Sequence, residues 1–200
     1  LDNCIPIGII GRMDNRSKIL DCALDLFASR GYDAVGVQEI VDAAGITKPT
    51  LYHYFGSKHG LLETMLEMYF SELNQVVAEA AIYKGDLPFT LRKLARAWFD
   101  FAVRYPTFYR LALALLFTPT QGEAYGVVAE LHERQHRLVE QVFSLAVENH
   151  GNMRGRQKLY AASFVGQINT CIFLWLGNHL QLNDALVERM VHQFEHGIYS

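Results

Sequence analysis

From Asn15 to the C-terminus the apolar residues recur at spacings of three and four, and no stretch alternates apolar with polar between turn residues. That periodicity confines the chain to an all-α fold. Ile19, Ala23, Leu26 and Phe27 share one face of a helix predicted over 15–29, with Gly31 placed to end it. Val37, Ile40, Val41 and Ala44 mark a short second helix stopped by Gly45. Thr47 stands as the N-cap and Pro49 as an early-turn residue of a short third helix running through Leu51 to Tyr54. Ser57 caps a long fourth helix that carries Leu61, Leu62, Met65, Leu66, Tyr69, Leu73, Val76 and Val77 and reaches the neighbourhood of Ala80.

Beyond Gly85 the periodicity predicts helices over 87–104, 106–117, 123–150, 156–180 and from Asp184 onward, divided by Pro88, Pro106, Pro119 with Gly122, and the stretch from Asn149 to Gly155. Three short helices thus precede a set of long ones, and the division falls near residue 60. The expected organisation is a head over 13–60 and a helical body over 61–200. Residues 1–12, upstream of Met13, form a tail on which no function is built.

Half of the 200 residues are hydrophobic and a fifth are charged, which supplies a core and excludes intrinsic disorder. A net charge of -3 excludes a protein that coats nucleic acid or anionic membranes by bulk charge. Cys4, Cys22 and Cys171 are widely spaced and form no C-x-x-C, which points to a reducing cytoplasm rather than a disulfide framework or zinc finger. The apolar run from Leu159 to Gly177 is interrupted by Ser163, Gln167, Asn169 and Thr170, and reads as a buried interface helix rather than a membrane span. No membrane and no cofactor are expected.

The second helix, the turn Ala44-Gly45-Ile46 and the third helix form a helix-turn-helix pattern, in which the third helix can enter a DNA major groove. Position, not total charge, carries this signal. Over 12–60 Arg12, Arg16, Lys18, Arg30, Lys48 and Lys58 balance Asp14, Asp21, Asp25, Asp33, Glu39 and Asp42. From Ala43 through Leu62, however, there is no Asp or Glu, while Thr47, Lys48, Thr50, Tyr52, His53, Tyr54, Lys58 and His59 all lie there. Phosphates require a face without carboxylates, and hydroxyls and lysines supply bonds to them irrespective of base sequence.

The run Gly31-Tyr32-Asp33-Ala34, then Val37 and Ile40, then Ala43 to Phe55, then Ser57-Lys58 and Leu61-Leu62 resembles the N-terminal signature of the TetR family of transcriptional regulators, over about a quarter of the chain. Val35 and Gly36 depart from it, since the family often carries Ser or Thr there, and the hydroxyl cap of the second helix is lost. The resemblance implies a homodimer, a head that binds a near-palindromic operator in double-stranded DNA, and a body that binds a small-molecule effector. Repression released by the effector is the family default. Carried over by position, the DNA-facing residues are Gln38, Thr47, Lys48, Pro49, Thr50, Tyr52, His53, Tyr54 and Lys58. Lys48, Tyr54 and Lys58 are assigned to phosphates; Gln38, Pro49 and His53 to base edges or the thymine methyl. Leu51 and Phe55 are assigned to packing.

Aromatic residues on the long helices are core by default, and a pocket between them would be lined by such residues plus a few polar ones. The candidates are Met65, Tyr69, Trp98, Phe101, Arg110, Phe117, Tyr125, His132 and Asn169. Phe164, Ile168, Cys171, Ile172 and Trp175 share one face of the eighth helix, while Phe173, Leu174 and Leu176 make other faces apolar. One apolar side meets the chain's own core and the other a second subunit, and the first set is assigned to the dimer interface.

The competing class is a helical-bundle ligand carrier or a zinc enzyme. His132-Glu133-Arg134-Gln135-His136 matches H-E-x-x-H, in which two histidines one turn apart bind zinc and the glutamate activates water. The downstream continuation is absent: Val139 and Val142 occupy the Gly and His positions, and Arg156 stands about twenty residues on where a Glu ligand would be sought. No metal site and no enzyme are expected.

Overall fold

A computed structural model describes residues 14–148 and 153–196; the tail over 1–12 lies outside the described residues. These form nine α-helices and no strand. Three short or moderate helices come first: α1 (Asn15–Arg30), α2 (Val37–Ala44) and α3 (Lys48–Phe55). The long α4 (Lys58–Ala80) leads into α5 (Leu87–Arg104), α6 (Pro106–Leu115), α7 (Tyr125–Ala146), α8 (Gln157–Leu176) and α9 (Asp184–His196). Several helices start at a side chain that accepts an otherwise unpaired N–H: Asp14 from Ser17, Ser57 from Gly60 and Asp86 from Phe89. Gly31 closes α1 by returning its N–H to the Phe27 carbonyl.

Helix ends differ from the periodicity where proline and glycine cluster. The sixth helix stops at Leu115 rather than Phe117, and the seventh starts at Tyr125 rather than Glu123, because Thr118 to Gly122 turn the chain between them. The eighth helix ends at Leu176, where the Asn178 N–H reaches the Trp175 carbonyl and the His179 N–H that of Leu174.

The apolar interior runs without a break from Ile19 and Phe27 in the head to Phe164 and Val191 in the body. Within it α1 lies against α2 and α6, and α4 lies against α5 and α7. Helix α9 packs on α5, with Arg92 paired to Glu188 at 2.6 Å and Arg96 to Asp184 at 2.8 Å.

Helix α8 is long and apolar enough to cross a membrane, yet it packs against α5, α6 and α7. Its orientation corrects the dimer assignment. Phe164, Ile168 and Ile172 are fully buried in the chain's own core, with Cys171 and Trp175 half-buried beside them. Facing outward instead are Ala162, Ser163, Gly166 and Thr170, flanked by Leu159 (66% exposed) and Phe173 (63% exposed). The larger side chains fill the deeper volume within the subunit, and the small residues are left on the outer stripe.

Candidate functional site

The helix-turn-helix segment depends on one turn. Gly45 adopts φ 60 and ψ 40 and returns its N–H to the Asp42 and Val41 carbonyls, while the Ile46 N–H bonds the Val41 carbonyl at 3.0 Å. A side chain at this left-handed position would be strained. The turn sends α3 away from α2 with Leu51 fully buried and Phe55 nearly so. With those two residues as anchors, the opposite face of α3 presents Thr47, Lys48, Pro49, Tyr52, His53 and Tyr54 to solvent, with Thr50 half-buried. The face is free of carboxylates, as its sequence dictates.

The geometry adjusts several expected roles. Thr47 precedes α3 in extended conformation, but its hydroxyl meets the Thr50 hydroxyl at 2.9 Å and does not cap the helix. Exposed Gln38 donates its amide to Asp42 at 2.7 Å, which places a carboxylate at the edge of the surface. Lys58 is turned inward: its ammonium donates to the Tyr32 and Val35 carbonyls at 3.1 Å each and lies 4.1 Å from the Tyr32 ring centroid. The connection between α1 and α2 leaves those carbonyls without helical partners, and an ammonium supplies three donors. Lys58 is therefore a clasp between this connection and α4, and not an outward phosphate ligand.

At the start of α2 the missing hydroxyl cap is offset from the other direction. Glu39 accepts the Gly36 N–H at 3.0 Å and pairs with Arg30. The Gly36 N–H, and then Arg30, hold its carboxyl below the usual carboxylate range. Val35, which replaces a polar residue of the signature, is buried in the core.

Gly60 is a residue that motif reasoning passed over. A β-carbon there would stand 2.2 Å from the Phe55 carbonyl oxygen, so the close approach of α4 to the end of α3 requires glycine. The available signal was a glycine inside a helix start otherwise built of helix formers.

The candidate liners of a body pocket separate into three groups. His132 and Asn169 line one buried pocket with Phe70, Leu73, Phe108, Tyr109, Ala112, Leu113, Leu116 and Gln135. Met65, Trp98 and Phe101 are buried core, and Tyr69 stacks on Phe108 at 4.4 Å between centroids. Arg110, Tyr125 and Phe117 face solvent, Phe117 at 89% exposure, because α6 ends before Phe117 and presents Arg110 on its outer side.

In the buried pocket the Tyr109 hydroxyl donates to Asn169 at 2.7 Å, and burial pushes the phenol up. His132 stands edge-on to Phe70 at 5.4 Å. Burial, followed by the proximity of His136, lowers the His132 imidazole to about 4.

Within the H-E-x-x-H motif the glutamate is turned away from the first histidine. His132 points into the core, while Glu133 faces solvent and accepts from Arg137 at 2.9 Å. Among the described residues no three His, Cys, Asp or Glu side chains are placed to hold a metal ion. A wider cleft of about 300 Å³ lies between the start of α4 and α7, lined by His59, Glu63, Glu67, Glu123 and Glu130. Arg134 and Tyr32 bond Glu130 and Glu123 at its margin.

A glycine-turned pair of short helices, the second with a carboxylate-free outer face, set on a long helical body, has clear relatives. Residues 19–65 match the family model described as bacterial regulatory proteins, tetR family. Over 187 residues the chain is 30% identical to the HTH-type transcriptional activator FasR of Mycolicibacterium smegmatis, covering 93% of this chain and 83% of that protein. The chain belongs to the TetR family of transcriptional regulators.

This TetR-family chain is also 27% identical over 121 residues to IcaR of Staphylococcus aureus, a negative regulator of the biofilm operon, covering 59% of this chain and 63% of IcaR. The transcriptional regulator FadR of Bacillus subtilis, solved in complex with stearoyl-CoA, superimposes with a TM-score of 0.78 over 92% of this chain and 99% of that one at 18% identity. That likeness is one of fold. The segment 19–65 that matches the family model includes the turn at Gly45, all of α3 and the Gly60 contact.

Proposed function

We propose that this TetR-family regulator works as a homodimer, with 13–60 as the reading head and 61–200 as the dimerisation and effector-binding body. The two α3 helices enter successive major grooves of a near-palindromic operator, with half-sites about 34 Å or a multiple apart. The observation that carries this reading is the outer face of α3, where Lys48, Pro49, Tyr52, His53 and Tyr54 stand exposed in a segment without a carboxylate. Lys48 and Tyr54 contact phosphates, while Pro49 and His53 meet base edges; Thr47, Thr50 and Gln38 flank them.

The dimer joins through the outer stripe of α8, from Leu159 through Gly166 to Phe173, together with α9. Small residues permit close approach of a second α8, and the two flanking apolar side chains are costly to leave in water.

An effector binding in the body releases the operator in this proposal. Fatty acyl compounds are the class favoured, on the strength of the stearoyl-CoA complex of the FadR neighbour. The same event derepresses a gene where the operator overlaps the promoter and ends activation where the bound dimer assists polymerase; FasR and IcaR are named for these opposite signs. The protein is placed in the cytoplasm, where its DNA is.

Selection of bound duplexes from a random pool, followed by gel shifts with Lys48→Ala and Tyr54→Ala, tests the DNA reading. The selected sites should be near-palindromic, and both variants should bind them more weakly with helical content unchanged. Recovery of no preferred sequence, or undiminished binding by both variants, would refute it.

A further inference from the structure

The polar atoms at the centre of the body are incompletely paired. Gln135 is 3% exposed and its amide nitrogen has no hydrogen-bond partner. Neither ring nitrogen of His132 has one, although both are closed off from solvent. Gln135 lies near enough to favour the protonated imidazole, although neither His132 ring nitrogen nor the Gln135 amide nitrogen makes a hydrogen bond. Folded interiors leave few such groups unmatched. Here three of them, one turn apart on α7, border the same pocket, whose remaining polar pair, Tyr109 and Asn169, is already satisfied.

The chemistry of these atoms restricts what can satisfy them. No charged side chain lines the pocket, and burial keeps the imidazole neutral. A neutral imidazole offers one donor and one acceptor, and an amide nitrogen offers two donors. A carbonyl oxygen or a hydroxyl meets that set. A carboxylate or an ammonium would be buried there without an opposite charge.

As it stands the pocket encloses about 10 Å³, room for about one water. Its α6 side runs from Phe108 to Leu116, with Leu113 and Leu116 at the helix end, and the remaining lining is largely apolar. A chain-like ligand would need that last turn to move before it could reach the polar atoms.

Resting on the reading of the body as effector-binding, we infer that this pocket admits an apolar chain past the end of α6 and that His132 and Gln135 read an uncharged oxygen on it, a hydroxyl or carbonyl, in preference to a free carboxylate. Selectivity then comes from polar groups left unpaired by the wrong ligand, which discriminates more sharply than a purely apolar cavity can.

The test is calorimetric titration of the full chain at pH 7.5 with 2-dodecanone, 1-dodecanol and dodecanoic acid, alongside a gel shift on selected DNA. The ketone and the alcohol should bind about tenfold or more tightly than the acid, as expected when the acid alone buries an unpaired charge. His132→Leu and Gln135→Met should each weaken binding of the ketone and the alcohol about tenfold while leaving the circular dichroism unchanged, since each removes a partner of the ligand's oxygen. If either variant fails to fold, the order of the three ligands on the parent protein decides. Equal or tighter binding of the acid by the parent protein, or ketone and alcohol binding undiminished in both variants as it would be if the atoms merely held a water, overturns the inference. If none of the three binds while the DNA complex stays intact, the ligand class is wrong and the DNA-binding reading stands; a parent protein that binds no DNA fails the earlier proposal instead.

Discussion

Gly60→Ala sets helix propensity against sterics at the junction of α3 and α4. Taken alone, alanine in a helix is favoured over glycine by about 0.5–1 kcal/mol. In this structure the new β-carbon would lie 2.2 Å from the Phe55 carbonyl oxygen, whereas carbon and carbonyl oxygen come no closer than about 3.3 Å even in favourable contacts. The obstacle is backbone, so no side-chain rotation relieves it, and α4 must draw back from the end of α3 by about 1 Å. Overpacking of this kind costs about 1–3 kcal/mol, and sterics therefore win.

The expected outcome is a fall in Tm of about 2–8 °C for a chain of this length. Operator affinity should fall as well, since Phe55 anchors α3, the helix proposed to enter the groove. Gly126→Ala is the matched control: it lies in α7 with nothing within 4 Å of the added carbon, and should leave stability unchanged or raise it. Thermal melts at fixed protein concentration and gel shifts read both effects. An unchanged or raised Tm for Gly60→Ala with undiminished DNA binding would refute the steric argument.

Lys58→Ala should lower stability by about 1 kcal/mol through loss of its two carbonyl contacts, whereas Lys48→Ala should leave the melt unchanged; equal melts for the two variants would contradict the inward clasp. Phe173→Glu should shift sedimentation toward monomer with helicity preserved, while Ile168→Ala should lower stability by about 2–5 kcal/mol as a core cavity does, so an unchanged sedimentation profile for Phe173→Glu would reject the outer stripe as the interface. The buried His132 imidazole is lowered to about 4, so below its ordinary pKa of about 6.5 the unfolded chain binds a proton that the folded chain refuses. Stability should therefore fall as pH drops through that window, by up to about 1.4 kcal/mol per pH unit from this group, and denaturant titrations of His132→Leu should show a shallower slope; identical slopes would exclude the buried neutral histidine.

The head and the body are not separate cores joined by one lever. Helix α1 packs on α6 as well as on α2, and the Tyr32 hydroxyl bonds Glu123 ahead of α7 at 2.9 Å. Displacement of α6 would act on α1 directly through its packing, besides any tilt of α4.

The short-range features of the head were legible in the sequence because their causes lie within a few residues. Gly45 turns the chain, Ser57 supplies a hydroxyl to the start of α4, Leu51 and Phe55 anchor one face of α3, and the other face is exposed in a segment without carboxylates. The all-α class followed from apolar spacing in the same way, while helix ends were less sharp where proline and glycine cluster around Thr118 to Gly122.

What depended on distant partners was not legible. Lys58 looked like a phosphate ligand until the Tyr32 and Val35 carbonyls, more than twenty residues away in sequence, met its ammonium. His132 was a candidate pocket liner whose partners were unknown until Phe70 and the α6 residues closed around it. Helix α8 is apolar nearly all round, so periodicity alone gave no direction for its inner face. The volume between α5, α6 and α7 decided that Phe164, Ile168 and Ile172 turn inward and that Leu159, Gly166 and Phe173 remain outside. Caps and turns are set by neighbours along the chain, whereas burial is set by what the rest of the fold brings to each side of a helix, and that choice is made only when the helices pack.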